Sequence, residues 1–105
     1  MVDDRRIEEL KREIGEDDLR VVMGMFLTEA QRAIAGISTG LDAAAHAKAT
    51  HFLRSGALNI GLISMARAAD DAATVPATDR AASAAALSQE LERLTDIFAP
   101  VEPGQ

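Results

Sequence analysis

The chain has no cysteine, tryptophan or tyrosine, and phenylalanine occurs three times. Without cysteine there is no disulfide framework and no thiolate metal site. With aromatics at only 3% of residues, any core must be filled by aliphatic side chains. No run of about 18 apolar residues is present to span a bilayer. The first residues are acidic with helical spacing, whereas a signal peptide needs a basic start and then an apolar stretch. Excess positive charge is also missing, since the net charge is −6 at pH 7. That opposes binding to nucleic-acid backbones and to anionic membranes, both of which recruit basic patches. The expectation is a soluble, cytoplasmic protein.

What is present is alanine and aliphatic residues at helical spacing. The 105 residues suffice for one domain with one modest core. Apolar residues make up 48% of the chain. Alanine supplies much of that share, favours helix and adds little bulk. No segment alternates with period two, and β-branched residues are scattered, so a sheet is excluded.

The spacing predicts five helices. The first runs from about Asp3 to Ile14, with Ile7, Leu10 and Ile14 on one face and Asp3 and Asp4 at the positive end of its dipole. Gly15 suits its left-handed C-cap. The second runs from about Glu16 to Ser38, and Leu19, Val22, Phe26, Ala30, Ala33, Ile34 and Ile37 form its apolar stripe. Val21 and Met25 fall to one side of that stripe. They either widen the core face or form a partner-docking surface. Thr39 and Asp42 have capping-box spacing and would start the third helix, from about Gly40 to Ile60. Gly61 would end it. A short fourth helix is expected from about Leu62 to Ala72, and Ala73 to Thr78, containing Pro76, reads as a loop. The fifth is expected from about Asp79 to Phe98, with Ala84, Leu87, Leu91, Leu94 and Phe98 as its stripe. Two prolines and a glycine between Ala99 and Gln105 predict a frayed tail. The fold class is therefore all-α. It is an antiparallel four-helix bundle with a short additional N-terminal helix over residues 1–98, followed by a flexible tail over 99–105.

The most informative segment is His51-Phe-Leu-Arg-Ser-Gly-Ala-Leu-Asn-Ile-Gly-Leu62. At about 100° per residue, Ala44, Ala47, Lys48, Arg54, Ser55, Leu58 and Leu62 lie within roughly 60° of His51. Ala49, Leu53, Gly56 and Ile60 lie opposite and form the natural core face. His51 is thus expected to face solvent from mid-helix. Arg54 lies one turn along and can hold a phosphoryl group by charge-assisted hydrogen bonds. Ser55 stands one turn above His51. Leu58 and Leu62 continue this face as apolar residues, either as a docking rim or buried against a neighbouring helix. His46 lies about 140° around the helix from His51. The two cannot share a metal, and His46 reads as a partly buried helix-contact residue. No His-Glu-x-x-His run occurs, no glycine-rich nucleotide loop is present for ATP, and no Ser-His-acid arrangement can be argued around His51, Ser55 and Lys48.

The segment resembles the central motif of histidine-containing phosphotransfer (HPt) domains, His-x-Leu-Lys-Gly-Ser-x-x-x-x-Gly. Leu53, Ala57, Asn59 and Gly61 stand in register with it, and the helix order extends the resemblance over most of the chain. The resemblance implies that His51 accepts a phosphoryl group from the aspartate of a receiver domain and passes it to another receiver. Arg54 stands where the family has lysine, exchanging a point cation for a planar fork. Ser55-Gly56 inverts the usual Gly-Ser order, so a side chain stands one turn from His51. It can serve the phosphoryl group or the imidazole as a hydrogen-bond donor, or narrow the space for a receiver. The implied partners are response-regulator receiver domains and a hybrid histidine kinase. Docking is expected around Lys48, His51, Phe52, Ser55, Leu58 and Leu62, with Val21 and Met25 nearby. The chain itself is expected to be a monomeric carrier without kinase activity and without a cofactor, the Mg²⁺ belonging to the receiver. The alternative is a helical adaptor that binds receivers without being phosphorylated.

Overall fold

A computed structural model describes residues 1–98. Its helices are α1 (Asp4–Ile14), α2 (Glu16–Thr39), α3 (Ala43–Ile60), α4 (Ile63–Ala73) and α5 (Arg80–Phe98), with a 3-10 turn at Ala77–Asp79 before the last. No strand occurs among the described residues. The tail expected over 99–105 and the side chain of Phe98 lie outside the described residues.

The helix ends follow local chemistry. The Asp3 carboxylate accepts from the Arg6 backbone N–H and starts α1. The Gly40 backbone is left-handed (φ +92°) and stops α2. Asp42 then caps α3, its Oδ1 accepting from the Ala45 N–H at 2.8 Å. The third helix therefore starts at Ala43 rather than at Gly40. Thr39 belongs to α2, where its hydroxyl donates to the Gly36 carbonyl, and Asp42 is the cap rather than the second member of a capping box.

In α2 the buried side chains are Leu19, Met23, Phe26, Ala30, Ile34 and Ile37, a repeat close to the helical period. Met23 takes the place expected for Val22, which is 38% exposed. The end of α1 also differs from expectation, because Ile14 is exposed. The chain turns at Gly15 immediately after it, leaving Ile7 and Leu10 as the buried pair of that helix.

Helices α2, α3, α4 and α5 form a ring in chain order, and α1 lies against α2 and α3. Neighbours run antiparallel. Phe26 of α2 meets Gly56 of α3, the start of α3 bonds to the end of α4 through His46 and Ala72, and Arg80 at the start of α5 donates to the Leu41 carbonyl just after α2. The core is aliphatic, with Ile37, Leu53, Leu62, Met65 and Leu87 as its largest fully buried side chains. Alanines at 30, 57, 66, 69, 72 and 84 let the helices approach closely. Burial of this apolar surface, at about 25 cal/mol per Å², is the main stabilising contribution. No helix among the described residues is long and apolar enough to cross a membrane.

His46 is buried on the inner side of α3, as its helical angle predicts. Its Nε2 donates to the Ala72 carbonyl at 2.9 Å, and Nδ1 has no partner. This bond ties the start of α3 to the end of α4 and leaves His46 with a structural task.

Candidate functional site

The site is built on α3, whose inward face is fixed by Leu53, Ala57 and Ile60. That fixes His51 outward, and it is exposed as expected. Around α3 from His51, Lys48 and Phe52 fall on the flank toward α2, and Arg54 on the flank toward α4. Two shallow grooves correspond to these flanks. One, of ≈ 350 Å³, runs between α2 and α3 and is lined by Glu29, Arg32, Ala33, Lys48, Ala49 and Phe52. The other, of ≈ 280 Å³, runs between α3 and α4 and brings His51 together with Arg54 and Asp70, walled by alanines 47, 69 and 73. His51 thus stands on a crest of α3 with open space toward α4.

Arg54 lies with its Nε 3.5 Å from Asp70 Oδ1. Asp70 is the site residue that sequence reading did not find. It carries no motif signal, and only the pairing of α4 with α3 brings it near Arg54.

Phe52 is half-exposed and stacks on buried Phe26, with ring centroids 6.0 Å apart and planes at 29°. Phe26 in turn presents one ring edge to Gly56. A β-carbon there would come within 2.7 Å of its ring. The inverted Ser55-Gly56 order follows from this contact. Glycine occupies the inward position that the Phe26 ring requires, and Ser55 is left exposed on the flank of His51 that faces α2.

Leu58 is 47% exposed, and on α2 Val21 and Met25 are 59% and 65% exposed. None of the three belongs to the core, so the wider core face considered for Val21 and Met25 does not form. Leu62 is a correction. It is 0% exposed and cannot line a docking surface. Its placement beside His51 extends the helical repeat past Gly61, but the chain leaves α3 there. Gly61 is left-handed (φ +91°), and a β-carbon on it would lie 3.0 Å from the Arg6 β-carbon. The Leu62 N–H bonds back to Ala57 O at 2.7 Å, and its side chain turns into the core. The glycine at the motif's end is therefore fixed by the corner and by α1, whose start is held by Asp3 N–H donating to Gly61 O at 2.7 Å and Arg6 Nε donating to Asn59 O at 2.9 Å.

Among the described residues no group of three or more His, Asp or Glu side chains is placed to hold a metal ion. No protein-family model, curated protein or solved structure matches this chain.

Proposed function

We propose that this chain is an HPt-like phosphoryl carrier of a two-component phosphorelay. His51 accepts a phosphoryl group from the phosphoaspartate of a receiver domain and returns it to another receiver. The observation that carries this reading is the exposed position of His51 on the crest of a rigid mid-bundle helix, with Arg54 on the same groove. The half-exposed Phe52 and Leu58 beside it add apolar surface of the kind that supports docking.

The chemistry asks little of the carrier. Phosphoryl transfer passes through a loose, highly charged transition state, so positioning and electrostatics dominate. An unprotonated ring nitrogen of His51 forms the N–P bond as the P–O bond to the receiver's aspartate breaks, restoring that carboxylate. The proton on the other ring nitrogen then leaves to solvent. Arg54 supplies positive charge at the phosphoryl oxygens, and the receiver supplies Mg²⁺. Val21 and Met25 extend the docking surface onto α2, and Lys48 offers charge to an acidic receiver rim. On this reading the protein is a monomer in the cytoplasm, and its partners are receiver domains and a hybrid kinase.

One observation favours a second reading, an adaptor that binds receivers without accepting phosphate. Ser55 is exposed on the His51 side of α3 and narrows the approach of a receiver. The deciding experiment is transfer from a panel of phosphorylated receivers, with His51→Gln alongside. An acid-labile label that is lost in the variant supports the carrier. A folded wild-type protein that binds receivers yet takes no label from any of them supports the adaptor.

A further inference from the structure

We propose that Asp70 is a positioning residue for Arg54, tethering its guanidinium through Nε so that the outer edge of the fork faces a phosphoryl group on His51. This rests on the reading of His51 as a phosphoryl acceptor. The other ion pairs among the described residues join side chains three or four positions apart on one helix. Arg54–Asp70 instead crosses from α3 to α4, and both residues line the groove that holds His51.

The geometry of the contact gives it direction. Asp70 Oδ1 approaches Arg54 most closely at Nε, at 3.5 Å, an ion-pair contact. A guanidinium binds phosphoryl oxygens best through two parallel N–H groups. An Nε tether leaves the edge formed by Nη1 and Nη2 free for that fork. It also limits the freedom of a long, partly exposed side chain before any phosphoryl group arrives. The Thr50 hydroxyl that also lines the groove donates to the His46 and Ala47 carbonyls, so Arg54 is the cation of this groove.

Asp70 can also act in the opposite sense, as a competitor that withholds Arg54 from the phosphoryl group. The two roles predict opposite signs. The test is chemical phosphorylation by phosphoramidate followed by ³¹P NMR, in which the donor's P–N bond breaks, ammonia leaves, and the imidazole N–P bond forms. Buried His46 is screened from the reagent, and His51→Gln provides the blank. The proteins compared are wild type, Asp70→Asn, Arg54→Ala and the double variant.

Asp70→Asn is expected to slow labelling of His51 about three- to five-fold, the range of one partly exposed charged pair. The double variant should be no slower than Arg54→Ala alone. The ¹⁵N order parameter of the Arg54 Nε–H should fall in Asp70→Asn with no phosphoryl group present. A purely structural role for Asp70 would not produce that selective change. Asp70 is 70% exposed, so the variant keeps its helical signal.

Faster or unchanged labelling in Asp70→Asn overturns the proposal. So does a double variant that shows the product of both losses, or a wild-type His51 that phosphoramidate does not label. The reagent needs no receiver, so the relay reading fails separately. Chemical labelling with the expected pattern, combined with no transfer from any receiver, removes the relay and leaves the Arg54–Asp70 tether standing.

Discussion

Gly56 of α3 packs against the Cδ1–Cε1 edge of the Phe26 ring from α2. An added β-carbon would sit 2.7 Å from Cε1 and 2.9 Å from Cδ1 of that ring. Phe26 is buried and stacked on Phe52, so it has little room to retreat. Overpacking of this kind costs about 1–3 kcal/mol, while alanine in place of a mid-helix glycine returns about 1 kcal/mol. Gly56→Ala is expected to lower the urea midpoint, and Phe26→Leu in the same background should restore part of the loss. A midpoint that rises in Gly56→Ala alone would mean that the two helices separate easily at this point.

Leu58 and Leu62 are four residues apart yet have opposite fates, one exposed and one fully buried. Leu62→Ala should cost about 2–5 kcal/mol, as for other buried leucines. Leu58→Ala should change stability by no more than about 0.5 kcal/mol and, if this face docks receivers as proposed, weaken receiver binding. Denaturation and receiver titration on the same two variants separate these effects.

The contrast shows where the sequence is legible. Within one helix the repeat of about 3.6 residues orders faces correctly. His51 exposed, Leu53 buried and His46 turned inward all come from that rule. It fails at boundaries. Gly61 breaks the repeat, so the angle assigned to Leu62 has no meaning beyond it. Asp42 suits the first position of a cap better than the second, where Glu or Gln is preferred, but the spacing from Thr39 hides this, and the left-handed Gly40 separates Thr39 from α3. Met23 rather than Val22 faces inward because the phase of α2 is set by Phe26 and its partners across the bundle. Asp70 lies beyond any single-helix rule, since its pairing with Arg54 depends on how far α4 slides along α3.

Arg80 closes the end of the bundle distant from Gly61. Its Nη1 donates to the Leu41 carbonyl in the turn between α2 and α3, and its Nε is buried. Removing the side chain leaves a corner carbonyl without its donor, which costs about 1–3 kcal/mol when the group is desolvated. Arg80→Ala should therefore destabilise the domain and speed amide exchange at Gly40 to His46, with little change near His51. Uniform acceleration across the molecule would show that the corner unfolds only with the whole domain.

Binding and transfer should separate along the surface of the site. Arg54 sits on the α4 flank of His51, in the groove where a phosphoryl group would lie. Met25 is a strongly exposed apolar side chain on α2 and lines neither groove beside His51. If Arg54 acts on the transition state, Arg54→Ala lowers the transfer rate at saturating receiver and leaves the receiver Kd nearly unchanged, because only interactions stronger in the transition state accelerate the step. If Met25 acts in docking, Met25→Ser raises Kd several-fold, within the ~1 kcal/mol or more of a modest interface contact, and leaves the saturated rate intact. If His51 is the acceptor, His51→Gln abolishes transfer, and the helical signal should stay unchanged because the side chain is exposed. Single-turnover transfer measured across receiver concentrations gives both quantities for each variant. Equal losses of rate and affinity in Arg54→Ala would make Arg54 a docking residue, and an unfolded His51→Gln would contradict the outward placement on which the site depends.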